Sequence, residues 1–284
     1  MAALPPYTTT LERIWHYAFR FLCGLVFFFL IMPILVIIPL SFNAGDYFTF
    51  TNEMLTLNPA GYSTQWYEDF FTNPNWQGAV KNSVIISIFA TLIATTLGTL
   101  AALGLSQAQM PAKPLIMAVL LSPIIVPLII SAAGMYFFYS RIGLQGTMIG
   151  VILAHAALGT PFVVITVTAT LVGFDRSLIR AGLGLGASPF TVFHRIIVPI
   201  ILPGVISGAL FAFITSFDEV VVVLFVGSFE QRTIPWQMFS GIREHISPTI
   251  LAVATILVLF SIVLLTCLEL LRRRSERLRG VQQS

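Results

Sequence analysis

Asp218 and Glu219 stand side by side in a run from Val198 to Val226 that holds no other charge. A charge at the centre of a bilayer costs about 2.5–3.5 kcal/mol on insertion scales, so such acids normally face a cavity or a partner. One use is an aqueous lumen beside Asp218 that holds a cationic amine, an ammonium resting against carboxylate and aromatic faces. The other is an interhelical hydrogen bond or salt bridge that fixes a bundle. Neighbours on one helix diverge by about 100°, which points one acid at a pathway and leaves the other to pair or cap. Weaker candidates surround them. His155, in "ILAHAALGTPF", is a single imidazole among small residues and suits packing or an interhelical bond. Ser122, in "LLSPIIVPLIIS", sits beside Pro123 and Pro127, and Pro161 follows further on. Prolines there kink helices and free carbonyls toward a cavity. Tyr136 and Tyr139 fit a pathway exit or anchors at lipid headgroups.

The second stretch with chemical character is "RAGLGLGASPFTVFHRIIVPIILPG", Arg180 to Gly204, a basic island studded with glycine. Gly182, Gly184 and Gly186 do not make a phosphate loop, because no strand precedes them and no GK[ST] follows. Neither HExxH nor GxSxG occurs, and no paired His or Cys ligands are visible. Asp218 and Glu219 alone are too few for a metal site. A membrane-embedded enzyme, a metal centre and a nucleic-acid surface all lack their residues.

The elements that must carry these residues are membrane helices. The chain has 284 residues, 57% hydrophobic and 10% charged, with a mean hydropathy of +0.91. Soluble domains average about 25% charged residues. About 20 apolar residues cross a hydrocarbon core about 30 Å thick. Six runs qualify: about 19–42, 83–105, 114–138, 147–171, 199–226 and 248–271. The first is too long for a signal peptide and is followed by no small-residue cleavage site. Alternating apolar–polar segments, the mark of a β-barrel, are absent. The expectation is one all-α integral membrane domain over residues 1–284, with Cys23 and Cys267 as packing residues rather than a disulfide.

Lys and Arg in the loops set the orientation. With both termini cytoplasmic, the inner segments carry Arg13, Arg20, Lys113, Arg176, Arg180, Arg195, Arg272, Arg273, Arg274, Arg277 and Arg279. The outer loops carry only Lys81, Arg141, Arg232 and Arg243, together with Asp46, Glu53, Glu68, Asp69, Glu230 and Glu244. In the outer loop 43–82, Tyr62, Trp66, Tyr67, Phe70 and Phe71 predict a short amphipathic piece at the membrane interface. The outer loop 227–247 predicts a short helix from Pro235. The arginines at 272–279 fit an inner anchor against anionic lipid.

The glycine-studded island then falls in the inner loop 173–198. Arg180 to Leu185 predicts one short helix, and Ser188 is placed to cap a second that starts at Pro189. Gly186 allows the sharp turn between them. Phe190 and Phe193 flank His194 and Arg195, so the loop reads as a compact knob fit for a groove. A surface helix on lipid headgroups is the other reading.

"AGLGLGASPFTVFHRIIVPIILPGV" resembles the cytoplasmic coupling loop of permease subunits of ABC importers. Ala181 and Gly182 stand at the two Ala positions of that pattern, Gly186 at its glycine and Pro203 at its closing proline. Arg180 stands where the family usually has Glu. "KNSVIISIFATLIATTLGTLAALGLS", with Asn82-Ser83 opening the second span, resembles the start of that family's core. "SFNAGDYFTF", "GYSTQWYEDFF", "SFDEVVVVLFV" and "RTIPWQMFSGIREHISPTILAVATILV" resemble the polyamine branch, second permease subunit. The resemblance covers roughly residues 20–272 and implies a type I ABC importer permease fold in the bacterial inner membrane. It implies as partners a sister permease (a heterodimer), two ATP-binding subunits that bring ATP and Mg, and a periplasmic solute-binding protein. No cofactor is implied on this chain itself. Arg180, Ala181, Gly182, Gly186, Ala187, Ser188, Pro189, Phe190 and Phe193 would meet the ATPase, while Asp218, Glu219, Tyr136 and Ser122 would line the substrate pathway. The expected cargo is a polyamine or related amine, with omega-amino acids and opines as competitors. An ion-coupled secondary transporter shares intramembrane acids and broken helices, but would lack the loop pattern.

Overall fold

The computed structural model describes residues 8–107, 109–175, 177–244 and 247–278. Arg176 and Arg279, both counted as inner charges, lie outside them. In chain order the helices are α1 (Thr10–Leu40), α2 (Asn52–Leu55), α3 (Gln65–Thr72), α4 (Pro74–Leu105) and α5 (Lys113–Ile125). There follow α6 (Leu128–Ile142), α7 (Met148–Val172), α8 (Ser177–Gly184), α9 (Pro189–Val192) and α10 (Val198–Phe217). The series ends with α11 (Val221–Val226), α12 (Ile234–Glu244) and α13 (Thr249–Leu278). A π-helical turn, Phe193–Ile197, runs from α9 into α10. Among the described residues the β-type pairing is a single bridge, Asn43 to Tyr62.

Four helical stretches are long and apolar enough to cross a membrane: α1, α4, α7 and the run Pro189–Phe217. The pair α5 and α6 adds a fifth, bent by 104° at its break. The apolar part of α13, Thr249–Val263, is shorter. The single helix expected over 114–138 is therefore two. Val126 is extended (φ −73°, ψ 133°) because a residue before proline is pushed out of the α region, and Pro127 then starts the new helix. The helix expected over 199–226 is also two, α10 and α11, parted at Asp218 to Val220. The acids thus do not share one helix, and the 100° divergence expected of them does not apply.

The described residues fall into two compact units, one from the stretches up to 73 and from 241 onward, the other from 74–240. In the first, α1 opens with a capping box: Thr9 Oγ1 accepts from the Glu12 N–H, and the Glu12 carboxylate accepts from the Thr9 N–H at 2.8 Å. Trp66 Nε1 donates to the Asn43 carbonyl at 2.7 Å, and Tyr67 and Ser41 share a hydroxyl hydrogen bond of 2.6 Å. The Thr249 hydroxyl at the start of α13 donates to the Asp69 carboxylate at 2.7 Å. The aromatic piece predicted for this loop is α3, but Trp66, Tyr67 and the buried Phe70 serve its own packing, and Phe71 alone of α3's rings is largely exposed. Indole and phenol found partners inside the loop, which amphipathic spacing does not reveal.

In the second unit α4, α7 and α10 form the core. Membrane helices gain no hydrophobic drive from lipid and associate through close packing of small residues. A Cβ built on Gly98 would strike the Val163 side chain, and one on Gly159 would lie 3.0 Å from the Ala212 Cβ. One on Gly208 would come within 2.8 Å of the Val163 Cα. These glycines set the helix spacing. After α11 the chain is tied back to α4: the Asn82 amide donates to the carbonyls of Glu230 (2.7 Å) and Arg232 (3.0 Å), and Ser83 Oγ accepts the Ile234 N–H (2.8 Å).

Candidate functional site

The knob forms as its spacing suggests, with α8 starting earlier than Arg180. Asp175 ends the preceding turn, and its carboxylate accepts the Ser177 hydroxyl (2.6 Å) and N–H (2.8 Å). Those bonds, with Arg180 nearby, hold the Asp175 carboxyl below the ordinary carboxylate range. Gly186 takes φ +83°, the left-handed conformation that ends many helices and that glycine adopts without Cβ strain. Ser188 Oγ accepts the Thr191 N–H at 3.2 Å and caps α9. Gly182 lies close under the side chains of Val192 and Ile196, so the two short helices meet closely. Arg180, Ala181, Ser188, Pro189 and Phe190 are exposed; Ala187 and Phe193 are half-buried. His194, flanked by Phe190 and Phe193 in the sequence, packs edge-on against both rings (4.5 and 5.3 Å).

The two breaks meet at an open cleft of about 310 Å³. Its walls come from the α5–α6 break (Pro123 to Leu128), Leu158 and Phe162 of α7, Thr215 of α10, and Glu219. Glu219 is buried, and its Oε1 accepts the Val222 N–H at 3.0 Å, capping α11. A carboxylate has about four acceptor positions; the N–H groups of Val220 and Val221 also lie against this one, so about one position remains for a donor in the cleft. The Phe162 ring, stacked on Phe211 at 6.2 Å, adds an aromatic wall. Asp218 is exposed and does not line the cleft. Ser122 does not line it either, its hydroxyl donating to the Val119 carbonyl at 2.8 Å. Tyr136 lies on α6 outside the lining, edge-on to Phe137. Phe162, Thr215 and the 124–126 segment were missed: nothing in an apolar run marks which residues a neighbouring break will expose.

His155 is buried, with Nδ1 against Ser216 of α10, the interhelical bond its sequence setting suggests. No group of three or more His, Cys, Asp or Glu that could hold a metal forms among the described residues.

Broken apolar helices around a cleft with one carboxylate suit a conduit through a membrane, and the class the comparisons define is an inner-membrane transport permease. The chain belongs to the family described as "binding-protein-dependent transport system inner membrane component", whose model matches residues 94–279. It is 32% identical over 250 residues to the spermidine/putrescine transport system permease protein PotC of Haemophilus influenzae, covering 88% of this chain and 94% of that one. It is 30% identical over 238 residues to the putrescine transport system permease protein PotI of Escherichia coli K12, covering 81% and 82%. The fold matches a chain in the crystal structure of a bacterial ABC transporter involved in import of the acidic polysaccharide alginate. That match has a TM-score of 0.71 at 13% identity, over 93% of this chain and 99% of that one.

Proposed function

We propose that this permease forms, with a sister permease, the pathway of an ATP-driven importer for a polyamine or related small amine. The observation that carries the reading is Glu219, the one carboxylate in a mostly apolar cleft lining. An amine of this class is a cation on a methylene chain. Ile124, Ile125, Val126 and Leu128 suit the methylenes, and Glu219 with the Phe162 face suits the ammonium. Asp218, exposed at the same break, is the second carboxylate a polyvalent amine would meet. The names of the PotC and PotI relatives support the same cargo class.

In this reading six spans cross the membrane with both termini cytoplasmic, α13 supplying the sixth. The knob from Arg180 to Pro199 docks on a cytoplasmic ATPase, which binds ATP and Mg. A periplasmic binding protein delivers the solute. Closure of the ATPase pair moves the knob, and the π-helical turn passes that motion to α10 and so to the acids at its end. Arg180, where the family pattern has Glu, gives this knob a positive charge at that docking point.

The test is uptake of labelled putrescine and spermidine by the co-expressed transporter carrying Glu219→Gln. Loss of an ion-paired hydrogen bond in a site away from water lowers uptake by about tenfold or more, while the ATPase still co-purifies. Wild-type uptake would remove Glu219 from the pathway.

A further inference from the structure

Asp218 to Val220 interrupt what would otherwise be one apolar helix, and inside a bilayer such an interruption must find hydrogen-bond partners from elsewhere. The last carbonyls of a helix have no partner within it. In α10 the closing bond is the Asp218 N–H to the Ile214 carbonyl at 3.1 Å. The Ser216 carbonyl comes after it, and His155 Nδ1 of α7 lies 3.1 Å from that oxygen and 2.9 Å from the Ser216 hydroxyl. In the tautomer that bonds the carbonyl, which only accepts, Nδ1 carries the ring hydrogen and Nε2 is a bare acceptor. Nε2 is buried and has no partner among the described residues.

Were the helix to continue, the Ser216 carbonyl would take the Val220 N–H, four residues on. The imidazole occupies that carbonyl instead. Beyond the break, Glu219 itself takes the Val222 N–H, and the Gly146 N–H takes the Val226 carbonyl at the other end of α11 (2.8 Å). The interruption is therefore held at its α10 side by a side chain from another helix, three residues before the cleft carboxylate.

We propose that His155 is a positioning residue for this transporter: by capping the end of α10 through the Ser216 carbonyl it keeps the break open and so fixes Glu219 in the cleft. The proposal rests on the reading of Glu219 as the amine-binding group, and its test separates the two. In the co-expressed complex, Asn at this position places an amide N–H where Nδ1 was, whereas Leu fills the space without a donor. His155→Leu should lower amine uptake about tenfold, and His155→Asn should keep it within about twofold. On a Glu219→Gln background, His155→Leu should cost less than about twofold further, since coupled residues do not add. The geometry is read independently by maleimide labelling of Val220→Cys in a Cys23→Ser, Cys267→Ser background. The labelling rate should change with His155→Leu and return with His155→Asn. If the Leu variant fails to assemble, His155→Gln, whose amide falls nearer the Nε2 position, should show the same loss. Wild-type uptake in the Leu variant, Asn no better than Leu, or multiplying effects with Glu219→Gln would each overturn the proposal. If Glu219→Gln transports normally while labelling at 220 still follows His155, the amine reading falls and the cap by His155 stands.

Discussion

At the scale of single residues the chain relies on absent side chains as much as on present ones. Gly208 lets α10 approach α7 until a Cβ there would sit 2.5 Å from Thr166 Oγ1 and 2.8 Å from the Val163 Cα. A backbone atom cannot yield as a flexible side chain can. Gly208→Ala should therefore destabilise by about 1–3 kcal/mol, the usual cost of overpacking, and lower the midpoint of thermal unfolding in detergent. Gly134, with no atom within 4 Å of its Cβ position, is the control: Gly134→Ala should leave the midpoint unchanged or raise it, because alanine favours helix. How legible the site was also turns on single residues. The charge–hydropathy conflict at Asp218 and Glu219 marked the place. It could not say that Glu219 caps α11 and enters the cleft while Asp218 stays out, because adjacent acids look alike until the backbone turns between them.

At the scale of elements, joints carry the argument. Gly186 sits at φ +83° with no atom within 4 Å of its Cβ position, so backbone strain alone decides what can replace it. Asn visits the left-handed region readily, and a β-branched residue does not. Gly186→Asn should keep transport coupled to ATP hydrolysis, and Gly186→Val should uncouple them; equal behaviour of the two would mean that the turn's conformation is immaterial to coupling. The tie between α4 and residues 230–234 is a second joint. Removing a buried partner leaves acceptors unsatisfied at about 1–3 kcal/mol, so Asn82→Ala should speed hydrogen exchange and proteolysis around residues 229–234, leaving α8 unaffected. The apolar runs announced most helices well, and Ser188, Pro189 and Gly186 announced the knob, because caps and turns are local chemistry. The breaks were another matter. Pro127 promised a kink but not a 104° bend, and hydropathy ran unbroken past Val220, since the partners that stabilise that break, His155 above all, come from distant sequence.

For the whole molecule the consequential property is the distribution of charge along the chain. Ten of the fifteen Arg and Lys lie in the segments 13–20 and 173–198 and after residue 271, whereas 43–82 and 227–247 hold six of the twelve acids. Cytoplasmic loops hold excess basic residues, so this pattern predicts a topology in which the knob would face a cytoplasmic ATPase and the Glu230 loop an external binding protein. In the Cys23→Ser, Cys267→Ser background, single cysteines report it directly. In intact cells a membrane-impermeant maleimide should label Phe229→Cys, an exposed position in the loop expected outside, and should label Ala187→Cys only after the cells are opened. In the proposed reading the chain has no motor of its own, and the power stroke arrives through residues 180–199. Vesicles containing only this permease and its sister should therefore accumulate no putrescine from a proton or sodium gradient, and adding the ATPase, the binding protein and ATP should start uptake. Gradient-driven accumulation by the pair alone would place the chain among ion-coupled carriers and strip the knob of its role. Labelling of Ala187→Cys from outside intact cells would do so from the structural side.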